Sequence, residues 1–327
     1  MKRRKLAIAV ACYVSTAVGQ PLIADMINAR LRVENSLVLV PHLCMTIAMA
    51  LVAIVRQRRS EPRKAPTAHT THAVVVSAML DILAGRCLYA GLARVGGGLF
   101  TVIYSSCTAW TALFSHFAGN RLHLYQWVGV GVVTLGLVCS GLANLGQPAE
   151  LDGVRLAWGF GLCVLGSMLH SILICYMNAR LQDSRVSLCA MEFCAVMGAM
   201  ETAVLVLTGA ASFAVASPGV SFHRADANAL ASLLLALIGC NWVHAIAFFL
   251  TLTDAGPVFS ALLKAIQMVC VFALSALFFC SLEQPTQCAT IGKCFTVMLL
   301  AAGLGLYALG SAAQRTSNRK AERAVGV

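Results

Sequence analysis

Charge is what this sequence has least of. Only 11% of the 327 residues are Asp, Glu, Lys or Arg, against about a quarter in an ordinary soluble domain. Acidic residues are the scarcest, 13 against 24 Lys and Arg. So little polar side chain cannot coat a water-facing surface, which excludes a soluble multidomain protein. There is no Cys-x-x-Cys pair, no His-Glu-x-x-His run and no His/Cys cluster at zinc spacing. Neither a metal, a cofactor nor an enzyme activity is therefore expected. Low-complexity sequence is missing too. The net charge of +11 sits in short clusters between apolar runs, not on one face with interleaved aromatics, so nucleic acid is not an expected partner.

What is abundant is hydrocarbon: 59% of residues are hydrophobic and mean hydropathy is +0.80. A spanning helix needs roughly 17 to 25 mostly apolar residues. Ten runs qualify, near Leu6–Ala24, Ser36–Val55, Ala73–Leu92, Gly98–Phe117, Leu124–Leu142, Trp158–Tyr176, Ser187–Leu207, Ala229–Leu252, Val258–Cys280 and Ala289–Leu309. The expected fold is an all-α membrane protein of ten transmembrane helices, with the lipid bilayer as its first partner. Most cysteines, such as Cys12, Cys107, Cys139, Cys163 and Cys240, lie inside these runs as small hydrophobes. Cys280 and Cys288 flank the last link and are a candidate disulfide in an oxidising lumen.

Basic residues set the orientation. Lys2–Lys5, Arg56–Lys64, Arg121, Arg180, Arg185 and Arg315–Arg323 outnumber Arg30, Arg32, Arg94, Arg155, Arg224 and Lys293 on the other side. Both termini are therefore expected in the cytoplasm. Lys2–Lys5 followed by an apolar stretch and Ala17-Val18-Gly19 also has the shape of a cleavable signal peptide. An internal repeat favours retention: sliding Gly98–Gly141 by 159 positions lays Phe100 on Phe259, Thr101 on Ser260, Ser105 on Lys264 and Thr108 on Gln267. Five spans per half would invert one half against the other, giving repeats over residues 1–145 and 146–310. The polar tail 311–327 is expected to be disordered and cytoplasmic.

The chemistry-bearing residues stand out because lipid penalises them. Ser260, Lys264 and Gln267 at i, i+4 and i+7 share one helix face, and a mid-span lysine costs at least about 2.5 kcal/mol unless a cavity, a carboxylate or a ligand receives it. Thr101, Ser105 and Thr108 repeat that stripe, which serves equally as packing glue. Asp81 and Arg86 share the third span, about 140° apart around its axis; Asp81 is a partner for Lys264 or a proton carrier, and Arg86 a second anion contact or a snorkelling residue. Asn241 and His244 lie near the position equivalent to Asp81. Of Glu192 and Glu201, at most one faces a common cavity, and Glu192 is the expected one. His116 and His170 read as interfacial. The glycines of the fifth and tenth spans, Gly129, Gly131, Gly136, Gly141, Gly303, Gly305 and Gly310, suit scaffold or a homodimer surface.

Three stretches carry a resemblance: Trp110-Thr111-Ala112-Leu113-Phe114-Ser115, then Leu124-Tyr125-Gln126-Trp127-Val128-Gly129-Val130, and Gly256 through Cys280. With them the chain resembles the drug/metabolite transporter superfamily, which implies ten spans in two inverted five-helix repeats. Ser260-Ala261-Leu262-Leu263-Lys264 is similar to the GALNK motif of fungal GDP-mannose transporters, departing from it at Ser260 and Leu263. The companion FYNN motif has no counterpart, the nearest material being Met191-Glu192-Phe193-Cys194. The resemblance implies an alternating-access antiporter exchanging a nucleotide-sugar for a nucleotide, in the Golgi or another endomembrane. Lys264 and Arg86 would hold phosphate, and Gln267, Ser260, Ser105, Thr108 and Asn241 sugar or base. The alternative is a proton-coupled or facilitative carrier of an uncharged or cationic metabolite, with Asp81 or Glu192 as the proton site.

Overall fold

The computed structural model describes residues 2–31, 39–57, 67–145, 153–216, 224–278 and 291–324. All the regular structure among them is helical: α1 (Lys2–Leu31), α2 (Leu39–Gln57), α3 (Ala68–Ser105), α4 (Cys107–Phe117), α5 (Leu124–Leu145), α6 (Gly153–Leu181), α7 (Ala190–Ala216), α8 (Arg224–Ala255), α9 (Pro257–Phe278) and α10 (Ile291–Ala324). Among the described residues, five runs are long and apolar enough to cross a membrane: Ala68–Leu92, Leu156–Leu181, Ala190–Gly209, Asn228–Ala255 and Cys294–Gln314. Cys280 and Cys288 lie outside the described residues.

A straight helix as long as α3 would measure about 57 Å, nearly twice the roughly 30 Å of bilayer hydrocarbon. Its contacts show that it doubles back. Asp81, Leu88, Gly91 and Val95 meet His170, Gly166, Cys163 and Gly159 in antiparallel order. Ile103 then returns to Cys163, and Ser106, Cys107 and Thr111 meet Ser167, Ser171 and Cys175 in parallel order. The reversal lies between Val95 and Ile103, in the stretch containing Gly96-Gly97-Gly98. The α8–α9 corner is as tight: Gly256 takes φ +88°, which only glycine adopts freely, and Pro257 opens α9 where no intrahelical donor is needed.

Packing follows a pattern. α1 lies antiparallel on α8 through Tyr13–Phe248, Thr16–His244 and Gln20–Asn241, as α3 lies on α6. α1 also runs parallel to α9, with Tyr13 against Leu263 and Ala17 receiving Gln267, as α4 runs parallel to α6. α1 is thus built into the core. α2 crosses α7 through Thr46–Thr202 and Met49–Gly198. α5 and α10 touch backbone to backbone, since a Cβ on Gly303 would fall 2.7 Å from the Gly129 carbonyl. Such contact between small residues is how helices associate where lipid removes the hydrophobic drive.

The tail departs from expectation: α10 continues to Ala324 instead of ending near Gly310. Ser311 donates to the Tyr307 carbonyl and Gln314 to that of Arg121. Residues 311–324 contain no Gly or Pro and are rich in Ala, Arg, Gln, Lys and Glu, all strong helix formers. Polarity there excluded the bilayer, not the helix.

Candidate functional site

Lys264 lies at the centre of the bundle, 6% exposed. Its ammonium donates to the Tyr104 hydroxyl and stands 3.6 Å from the centroid of that ring. Among the described residues no carboxylate comes within 4.0 Å of Lys264. A desolvated cation–π contact contributes about 2 kcal/mol and a hydrogen bond to a charged group about 1.5–3 kcal/mol. Together these offset the roughly 2.5–3.5 kcal/mol that a mid-membrane lysine costs. The tyrosine therefore parks the cation without neutralising it.

Aromatic and titratable groups from both halves surround this point. Tyr104 stacks on Phe100 and meets the His170 ring at a tilt of 58°, and His170 Nδ1 stands 4.0 Å from Asp81 Oδ1. On the other side the Tyr13 ring lies 4.4 Å from His244, which bonds Thr16 at 3.1 Å. Gln20 donates to Asn241 at 2.7 Å and Gln267 to the Ala17 carbonyl at 2.8 Å. α7 contributes Glu201, wholly buried, with no hydrogen-bond partner for either carboxyl oxygen among the described residues.

Of the expected site residues, the structure gathers Lys264, Asp81, Asn241 and Gln267 around one point, with Ser105 and Thr108 buried on the facing helix. Thr108 donates to the Ala261 carbonyl across α4 and α9, and Ser260 to its own helix at Gly256; both hydroxyls are occupied in packing. Arg86 points elsewhere, donating to Thr208 of α7 at 3.2 Å. Glu192 is a correction. It stands in the first turn of α7 and accepts the Cys189 amide at 2.9 Å, a helix-capping contact. The helix begins at Ala190, so the deeply placed glutamate is Glu201. His170 is a second correction: α6 runs on to Leu181, which carries this ring from the expected interface into the cluster.

Tyr13 and Tyr104 were missed, and Glu201 was passed over for Glu192. A tyrosine in an apolar run gives no sequence signal of its own, but Tyr104 immediately precedes Ser105, the residue that the repeat lays on Lys264. The cluster is closed: Lys264, Asp81, Ser105, Thr108, Asn241 and Ser260 are each at most 6% exposed. A solute reaches it only when helices part.

Comparison with known proteins agrees with this architecture. A solved structure described only as the crystal structure of a protein aligns with a TM-score of 0.59 over 92% of this chain and 98% of its own. At 14% identity it speaks for the fold alone. No curated protein matches the chain. Residues 6–142 match the EamA-like transporter family, within the drug/metabolite transporter superfamily.

Proposed function

We propose that this protein carries a small organic anion across the membrane by alternating access, with Lys264 as the anion contact. The observation that carries this reading is a buried ammonium held by a neutral tyrosine where helices of both halves converge. An incoming phosphate or carboxylate would form a charge-assisted bond about twice as strong as a neutral one and release Tyr104. The flanking rings of Tyr13, Tyr104, His170 and His244 offer flat faces to a base or sugar. With the similarity of Ser260–Lys264 to a nucleotide-sugar motif, this favours a nucleotide-sugar exchanged for a nucleotide, in the Golgi or another endomembrane.

The same reading takes the chain as ten crossings in two inverted repeats, residues 1–145 and 146–310, with both termini cytoplasmic. Support comes from helix directions: α2 with α7, α4 with α9 and α5 with α10 each cross antiparallel, as inversion requires. A glycosylation acceptor placed within Gln57–His72 should stay unmodified and one between Ser217 and Asn228 should be modified; the reverse pattern would overturn the topology. The apposed glycines of α5 and α10 are used within the chain, which weakens their claim to a homodimer surface.

Thermal-shift measurements with nucleotides, nucleotide-sugars, inorganic phosphate and amines test the anion assignment, since a ligand at 100 times its Kd stabilises by about 2.7 kcal/mol. Lys264→Ala should weaken anion binding by about 1.5–3 kcal/mol, roughly 10- to 150-fold. Lys264→Arg keeps the charge but alters donor geometry and should retain part of the affinity. Undiminished anion binding in Lys264→Ala would refute the assignment.

A further inference from the structure

Lys264 is the first member of a chain of contacts that ends on a carboxylate. Its ammonium donates to the Tyr104 hydroxyl, and the centroid of the Tyr104 ring lies 5.6 Å from that of His170. His170 Nδ1 in turn stands 4.0 Å from Asp81 Oδ1. That last gap is too long for a hydrogen bond, and a shift of about 1 Å would close it. The two side chains are 18% and 8% exposed, so the imidazole is the member of the pair that water meets. Anion binding at Lys264 alone assigns neither of them a part.

We propose that His170 and Asp81 together bind one proton when an anion occupies Lys264, so that anion and proton cross together. The proposal rests on the anion reading of Lys264 and adds its coupling ion.

The charges on this chain of contacts fix the direction of coupling. In the empty site the Lys264 ammonium and the Asp81 carboxylate balance, and the imidazole is neutral. A proton on the pair would then leave one positive charge in excess, and an unbalanced buried charge is costly. An anion beside Lys264 cancels the ammonium, and the Asp81 carboxylate becomes the charge without a partner. One proton from water removes that excess. The pair holds it as an imidazolium facing a carboxylate or as a carboxyl facing a neutral ring, two forms of one macroscopic state. In the first form the gap closes to the roughly 2.7–2.9 Å of a charge-assisted bond. When the anion leaves, the ammonium again stands uncancelled and the proton returns to the water on that side. In one-for-one exchange the outgoing anion carries a proton back, so only net transport moves protons.

The other groups around the pair keep the same charge in both states. The Lys264 charge on α9 acts on Asp81 and on His170 alike. Glu201 of α7 has neither oxygen bonded among the described residues; it stays uncharged, because an ionised carboxylate without a donor does not persist in so dry a place. Arg86 turns its charge to Thr208 of α7. His244 of α8 acts on His170, and His42 of α2 lies against Gly85, one turn beyond Asp81. α3 itself adds Tyr89 and Tyr104, and α7 Cys194, which feel the Asp81 charge. α4 meets α6 beside His170, where Ser171 donates to the Cys107 carbonyl. α5 carries no Asp, Glu, His, Lys or Arg.

Calorimetry with a nucleotide-sugar or nucleotide, in buffers of different ionisation heat and corrected for the probe's own ionisation, should give up to about one proton taken up per anion bound. Affinity should fall by up to about tenfold per pH unit on the alkaline side. Asp81→Asn leaves no carboxylate uncompensated once the anion has bound, so its uptake should vanish and its affinity should lose the pH dependence. His170→Gln keeps the carboxylate, so uptake should persist with the proton on Asp81 alone. Binding to that variant should raise the carbonyl stretch of a protonated carboxyl in difference infrared spectra, and the pH of half-uptake should move. No uptake in the unaltered protein, or undiminished uptake in Asp81→Asn, overturns the coupling and leaves the anion reading standing. An unmoved half-uptake pH or a missing band in His170→Gln overturns the assignment to this pair. If no probe binds the unaltered protein, both readings fall.

Discussion

Where α1 crosses α8, Gln20 donates to Asn241 at 2.7 Å; where α3 crosses α6, Asp81 and His170 face each other at 4.0 Å. Exchanging each helix for the one five places later brings the first seam onto the second. One seam is closed by a neutral amide bond, the other is lined with groups able to change charge. The backbones differ as well. Gly91, Gly159 and Gly166 bring α3 and α6 so close that a Cβ on any of them would overlap its neighbours, whereas a Cβ on Gly19 would rest 3.4 Å from Cys240 Sγ, an ordinary contact. The two crossings thus differ: one is held by a hydrogen bond between neutral amides, and the other sets titratable groups on a tighter frame.

The largest expected effect probes that frame. In Gly91→Ala the new methyl group would meet backbone atoms of Gly159 and Cys163 at 3.0 and 3.1 Å, which cannot rotate away. Unfolding in detergent should come earlier by about 1–3 kcal/mol. Gly19→Ala should be neutral or stabilise by up to about 1 kcal/mol through helix propensity. Equal costs would erase the distinction between the seams.

Next in size is the amide lock. Asn241→Ala leaves the Gln20 amide without its acceptor and should cost about 0.6–1.7 kcal/mol, the span measured for hydrogen bonds between membrane helices. His170→Phe should cost less stability, because 4.0 Å is beyond hydrogen-bond range, yet lower transport more. Paired thermal-unfolding and proteoliposome-uptake measurements check this, and the opposite ranking would reverse the assignment of roles.

The smallest effect lies at the end of the α3–α6 seam. There the α6–α7 connection is clipped to α3: Thr67 caps α3 through the Thr70 amide and donates to the Arg185 carbonyl, and Thr70 bonds Ser187. Hydrogen bonds from Arg185 lower the Asp183 carboxyl from 3.8 to about 2. A depressed carboxylate supports the fold above its unfolded value and loses that support as pH falls through the folded one. Amide exchange across residues 182–189 should therefore quicken only between about pH 4 and pH 2. Quickening near neutrality would point to another group.

Much of the fold was legible because a bilayer imposes one length on every helix. The α3–α4 reversal falls close to the break between the expected runs Ala73–Leu92 and Gly98–Phe117, even though helical backbone continues through it. The lipid penalty likewise exposed Lys264, Asp81, Asn241 and Gln267 as an unusual set. Their partners stayed hidden, because Lys264 meets Tyr104 and Gln20 meets Asn241 across more than a hundred residues, and no local pattern encodes such pairings. The choice between Glu192 and Glu201 turned on where one helix begins, which apolar run length leaves open by about a turn.

Cys107 draws a practical consequence from the closed cluster. Its thiol is fully buried, so a membrane-impermeant maleimide can reach it only while the helices are apart. Kept as the single cysteine in an otherwise thiol-free variant, it would serve as a built-in clock. Its labelling rate would report how often the site opens to one face of the membrane, and the change in that rate with solute or pH would time the transport cycle without a radioactive substrate.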